Sequence, residues 1–137
     1  MRKIKHIHWE SKFSVHVDEI DAQHQKLYDI TNRMVDIYNN NPEDCLNIIH
    51  ELVEYAVIHF RTEERILIKC EYSAYEEQFR AHEKFYDKVD VLLRDLKNHK
   101  EGLSLDIVTF LIDWIYTHTT SMDLKIGEHI MTCGYQK

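Results

Sequence analysis

Four stretches of this chain repeat apolar residues at the three- and four-residue steps of an amphipathic helix, and each has a histidine inside its apolar stripe. The first stripe runs through Ile20, His24, Leu27, Thr31, Met34 and Tyr38. The second takes in Ile49, Leu52, Val53, Ala56, His59, Phe60, Glu63 and Leu67. The third is Gln78, His82, Phe85, Val89, Leu92 and Leu96, and the fourth is Ile107, Leu111, Ile115, His118 and Met122. With 3 Gly and 1 Pro in 137 residues, turn positions are few, which favours a few long helices over many short strands. The length is that of one domain able to bury a core. The expected fold is all-α: an up-down-up-down four-helix bundle, one domain over residues 1–137, with an extended N-terminal arm over 1–17. The helices are expected over about 19–39, 43–70, 74–98 and 104–125.

Local signals set these limits. Asp18 is the expected N-cap of the first helix, with Glu19 and Asp21 in its first turn at the positive end of the dipole. Asn39-Asn40-Asn41-Pro42 stops that helix, and Pro42 pre-sets the next. Glu71-Tyr72-Ser73 breaks the second helix from the third. Gly102 ends the following connection and Ser104 caps the fourth helix. In the arm, Ile7, Trp9, Phe13, Val15 and Val17 are expected to bury against the outside of the bundle.

The formal charge of −7, with Lys and Arg scattered among the acids, argues against a nucleic-acid partner, and no basic stripe offers a membrane surface. No apolar stretch reaches the length of a membrane span, and no apolar run follows the basic start of the chain. Cys45, Cys70 and Cys133 are an odd, widely spaced set, expected as free thiols in a reducing compartment. These features give the expectation of a cytoplasmic protein, a monomer or a simple oligomer.

The stripes also carry chemistry. His59 and Glu63, four residues apart, stand on one helix face about 6 Å apart along the axis. An imidazole and a hard carboxylate oxygen form half of a site for iron, manganese or zinc. His24, His82, and His118 with Asp123 would add to it from the other three helices. Without a cation, each unpaired titratable group in such a core costs several kcal/mol, against a total stability of about 5–15 kcal/mol. Four imidazoles and two carboxylates exceed what one ion takes while keeping a position open, so two ions sharing the carboxylates are expected. His118 and Asp123 are five apart, about 140° on an ideal helix. Either a π turn realigns them or Asp123 reaches in from the helix flank.

Trp9, Phe13 and Val17, Ile20-Asp21-x-Gln23-His24-x-x-Leu27, His59-Phe60-x-x-Glu63-Glu64, His82-Glu83-x-Phe85 and Trp114-Ile115-x-x-His118-x-x-x-x-Asp123 together resemble the hemerythrin family in its single-domain bacterial form. The resemblance covers nearly the whole chain, in order. It implies two iron ions, oxo- or hydroxo-bridged, that bind O2 reversibly at one iron. Carried over, it makes His24 and His59 ligands of the iron with the open position, Glu63 and Asp123 the bridges, and His82 and His118 ligands of the other iron. Gln78 stands where the family has a further histidine, and its amide oxygen either ligates or gives way to water. Phe60, Trp114 and Ile115 match the apolar O2 pocket, whereas Thr119 replaces a usual isoleucine. Both departures predict faster autoxidation than in a typical member.

His6, His8, His16, His50, His99 and His129 fall on the arm, on outer faces or near termini and are expected in solvent. Tyr28, Tyr38, Tyr55 and Tyr86 flank the stripes, and the sequence does not choose among them as partners of a ligand histidine. Two function classes follow: an O2-binding protein for carriage, storage or sensing that consumes nothing, and a di-iron enzyme reducing peroxide or nitric oxide at the extra position that Gln78 opens.

Overall fold

Three short breaks divide the chain into four helical rods. In this computed structural model, which describes residues 3–98 and 103–133, α1 (Asp18–Asn40) is followed by a 3-10 turn (Pro42–Cys45), α2 (Leu46–Lys69) and α3 (Tyr75–Lys97). The fourth rod is continuous: α4 (Leu103–Thr117) passes through a π turn (His118–Met122) into α5 (Asp123–Cys133). There is no strand among the described residues. Rods adjacent in the chain pack on each other, and α1 closes the ring against α4. The connections are too short for anything but antiparallel neighbours, so the result is the expected up-and-down bundle.

The breaks follow local chemistry. Asn41 is extended, its side chain accepts the Glu43 N–H at 3.2 Å, and Pro42 opens the 3-10 turn behind it. Two expected caps lie inside their helices. Val17, in extended backbone, precedes α1, so Asp18 lies in the first turn. Asp21 instead ties that turn to the arm by accepting the Val15 N–H at 2.8 Å. Ser104 follows the start of α4 instead of preceding it. Gly102 and His99 lie outside the described residues. The fourth rod runs on past Lys125 to Cys133, because Ile126 and Ile130 continue its buried stripe.

The arm is held by a device absent from the sequence reading. Asn39 takes the Ile4 N–H (2.9 Å) and returns its amide to the Ile4 carbonyl (2.8 Å), and Asn32 does the same for Ile7 (2.9 and 2.8 Å). Two amides on α1 thus satisfy the backbone of an extended segment that has no strand beside it. Farther on, Phe13, Val15 and Val17 are buried as expected.

The core has two apolar clusters. One contains Leu27, Met34, Leu52, Phe60, Phe85, Leu111 and Ile115, and the other Val15, Val17, Ile20, Ile66, Leu67, Ile126 and Ile130. On three of the rods the change of cluster falls at the buried polar residues. His24 lies between Ile20 and Leu27, Glu63 between Phe60 and Ile66, and His118 and Asp123 between Ile115 and Ile126.

The cysteines correct an expectation. Cys45 is a buried free thiol, but Cys70 and Cys133 form a disulfide, with Cα atoms 5.6 Å apart. Their wide spacing in sequence concealed that the turn after α2 meets the last turn of α5. The expectation of three free thiols therefore holds for Cys45 alone. No described helix is long and apolar enough to cross a membrane.

Gly127 marks the closest approach of arm and bundle. A Cβ built there would lie 2.8 Å from Val15 Cα and 3.1 Å from the Val15 carbonyl oxygen. The obstacle is backbone, which cannot rotate away. Gly127→Ala is expected to destabilise the fold by about 1–3 kcal/mol in denaturant unfolding, and wild-type stability would contradict the contact.

Candidate metal centre

All seven residues singled out by the sequence as donors meet in one layer, and none is more than 4% exposed: His24, His59, Glu63, Gln78, His82, His118 and Asp123. On α2, the four-residue step brings His59 Nε2 to 3.3 Å from one Glu63 oxygen. The other Glu63 oxygen lies 3.3 Å from His82 Nε2 and 3.8 Å from His118 Nε2. Asp123 is divided in the same way. Its Oδ2 lies 2.9 Å from His24 Nε2, and its Oδ1 lies 3.1 Å from His118 Nε2 and accepts the Gln78 amide N–H at 2.9 Å. Each carboxylate therefore shows one oxygen to the His24/His59 pair and the other to the His82/His118 pair.

The π turn makes this alignment. The Asp123 N–H bonds to the His118 carbonyl, the five-residue step that brings these two side chains onto one face. Local sequence explains why the helix widens here. The hydroxyls of Thr119, Thr120 and Ser121 donate to the carbonyls of Ile115, Tyr116 and Thr117 at 2.6–2.8 Å, satisfying backbone groups at the disturbed ladder. Of the two options left open for Asp123, the structure takes the π turn.

The geometry fits cations. Two nitrogens about 2.1 Å from one ion and at right angles to it lie about 3.0 Å apart. His24 Nε2 and His59 Nε2 are 3.0 Å apart, and His82 Nε2 and His118 Nε2 3.3 Å. Both Glu63 oxygens are buried without a hydrogen-bond partner, which would be expensive in a core that offered no positive ion. The donor atoms fall into two groups, His24, His59, Glu63 and Asp123 in one and Glu63, His82 and His118 in the other, each within 4.8 Å.

Residues behind the donors orient them. Gln23 Oε1 lies 2.9 Å from His59 Nδ1, and Gln23 Nε2 donates to the Thr62 hydroxyl at 3.0 Å. Glu64 Oε2 lies 2.7 Å from His82 Nδ1. With Nδ1–H donated to these acceptors, each Nε2 is free to turn its lone pair toward a metal ion once it gives up its own proton. The motifs contained Gln23 and Glu64, but sequence alone gave them no role. The signal was there, since each is a polar residue adjacent in sequence to a donor on a half-buried face. Phe60 stacks on His82 (4.0 Å between centroids) and Trp114 on His118 (4.2 Å), while Ile115 is buried beside them. Thr119 donates to Ile115, and its oxygen lies 2.6 Å from the Tyr28 hydroxyl, so Tyr28 meets a pocket residue and not a donor, while Gln23 and Glu64 take the place behind His59 and His82 that a flanking tyrosine was considered for.

In the chain alone, protons balance the charge. Burial alone would lower His24 and His118, but Asp123 and Glu63 override it and hold them up at about 9 and about 10. Burial would likewise raise Glu63 and Asp123. The charge of His59 outweighs it at Glu63, and that of His118, with hydrogen bonds from His118 and His24, does so at Asp123, so both carboxylates stay ionised well into acid. A histidine whose folded value lies above its ordinary 6.5 stabilises the fold fully below pH 6.5 and loses that contribution as pH rises through 9 to 10. The melting temperature of metal-free protein should accordingly fall between pH 6.5 and 10, and metal uptake at neutral pH should release protons. A flat melting temperature over that range would contradict the proton-balanced core.

Comparison with known proteins agrees with this arrangement. Residues 15–130 match the family described as the hemerythrin HHE cation binding domain. The bacteriohemerythrin of Clostridium acetobutylicum is 27% identical over 121 residues, covering 84% of this chain and 94% of that protein. The myohemerythrin of Riftia pachyptila is 27% identical over 117 residues, covering 85% and 88%. A crystal structure of a mutant hemerythrin superposes with a TM-score of 0.80 over 90% of this chain and 96% of that one, and at 23% identity it speaks for the fold alone. With the match spanning most of the chain and the donor layer in place, the chain belongs to the hemerythrin family of HHE cation-binding domains.

Proposed function

We propose that this protein holds two non-haem iron ions in the donor layer and binds O2 reversibly. The observation that carries this is the division of the two buried carboxylates. Glu63 and Asp123 each turn one oxygen to either histidine pair, and the Glu63 oxygens have no other partner. In this assignment His24 and His59 would hold one iron and His82 and His118 the other, with Glu63 and Asp123 available to both. When bound, the irons supply the electrons and the coordination position that reversible O2 binding needs.

The chain's own residues set the conditions. Phe60, Trp114 and Ile115 keep water from the apolar side. Gln23 and Glu64 hold two imidazoles with Nε2 unprotonated. The Thr119 hydroxyl gives its proton to Ile115 and meets Tyr28, so it has no proton left to offer a ligand. The greater departure is therefore Gln78. Its amide nitrogen faces Asp123 and His118, and turning the amide over would present the oxygen as a weak, hard donor. Either way the His82/His118 side has one strong nitrogen fewer than the family pattern. That feature also favours the second function, reduction of peroxide or nitric oxide at the position so opened.

Adding O2 to anaerobic ferrous protein separates the two. A long-lived oxygenated absorption that disappears on degassing supports O2 binding, whereas rapid conversion to the ferric form with multiple-turnover peroxide consumption supports the enzyme. Gln78→His should lengthen the life of the oxygenated form by about tenfold in stopped-flow decay, and an unchanged or shorter life would contradict the role given to Gln78. Glu64→Ala should weaken metal retention by about 10- to 100-fold in chelator competition, and an unchanged affinity would remove Glu64 from the orienting set.

A further inference from the structure

A surface pocket ends on Gln78, and neither the packing of the bundle nor reversible O2 binding accounts for it. Its volume is about 130 Å3, and Tyr72, Ala74, Glu77, Gln78, Met122 and Lys125 line it. Such a space holds only a few water-sized molecules, at roughly 30 Å3 each. Gln78 is shared between the pocket and the donor layer, where its amide bonds Asp123 at 2.9 Å and lies 3.4 Å from His118 Nε2. Ala74, one turn before Gln78, has too small a side chain to cover it.

The pocket and the apolar wall lie on opposite sides of the donors. Along α2 Phe60 precedes Glu63, along α4 Trp114 precedes His118, and along α3 Phe85 follows His82. These three rings pack together, with Phe85 and Trp114 at 4.7 Å and Phe60 and Trp114 at 5.1 Å. Tyr72 follows the donors of α2, Met122 and Lys125 come after His118 on the fourth rod, and Ala74 precedes the donors of α3. On that far side lies the second apolar cluster, and beside it the pocket brings a hydroxyl, a carboxylate, an ammonium and an amide together at Gln78.

We propose that this pocket admits and holds a small, neutral, hydrogen-bonding ligand of the hydrogen peroxide class and delivers it past Gln78 to the His82/His118 half of the centre. The proposal rests on the metal centre proposed above and gives it a second, polar approach. Lys125 and Glu77 on the rim carry opposite charges, so the rim does not select an ion. Tyr72 and Gln78 offer the donors and acceptors that HOOH needs and that O2 cannot use. An imidazole at this position would ligate through a rigid ring, whereas the flexible amide leaves a floor that can swing aside.

Two measurements test this. In metal-free Gln78→Cys protein, methyl methanethiosulfonate should label the introduced thiol by the pocket route at least about tenfold faster than the buried Cys45, and adding Ala74→Trp should slow that labelling about tenfold. Labelling no faster than at Cys45, or unaffected by Ala74→Trp, overturns the route whether or not iron is ever bound. In iron-loaded protein with Gln78 intact, Ala74→Trp should slow the spectral response to hydrogen peroxide about tenfold relative to O2 uptake, and equal slowing of both, or of neither, overturns the proposal. Failure to retain iron at all would instead remove the proposed di-iron centre, an outcome that the thiol labelling separates from failure of the route.

Discussion

Two carboxylates at the centre of a small helical bundle demand positive charge around them, and the rest of the molecule is arranged to supply it. Glu63 and Asp123 are wholly buried, and Glu63 has no hydrogen-bond donor on either oxygen. Desolvation of such groups costs more than any single packing contact returns. Protons on His24 and His118 offset it in the chain alone, and a cation held at each histidine pair would offset it more fully, because one ion meets several donors at once. Each rod therefore carries its histidine at the same level, and on three of the rods that level falls between the two apolar clusters.

Positioning is assigned to rigid elements. Four helices deliver the donors, and the α4 ladder is widened by a π turn at the point where a five-residue spacing must become a shared face. The hydroxyls of Thr119, Thr120 and Ser121 stabilise that irregularity by taking up helix carbonyls. Gln23 and Glu64 fix the imidazoles from behind, and Phe60 and Trp114 press on the faces of His82 and His118. The donors are held in place by packing as well as by whatever they bind, which is the condition for a preorganised site.

The sequence disclosed the parts governed by periodicity and by residue type. Apolar steps of three and four located the rods, and histidine inside a stripe located the donors, since a buried imidazole is conspicuous against Leu and Ile. What it withheld depended on contacts between segments far apart in the chain. The Cys70–Cys133 bond joins residues 63 positions apart. The Asn32 and Asn39 clamps on the arm join residues 25 and 35 apart. The π turn was legible only as an inconsistency, two acceptable donors at a spacing that an ideal helix does not allow. The expected end of the fourth rod at about 125 fell short, since Ile126 and Ile130 continue its stripe and Gly127 between them admits the arm beside a helix that continues.

In the proposed assignment Gln78 is the residue that would turn a closed donor set into one with an exchangeable side. That consequence matters only if two ions occupy the layer. Anomalous diffraction at the iron edge from protein purified with its native metal tests this directly. Two iron peaks are expected, one against His24 and His59 and one against His82 and His118, both touching Glu63 and Asp123. A single peak, or a well-ordered donor layer with none, would contradict it.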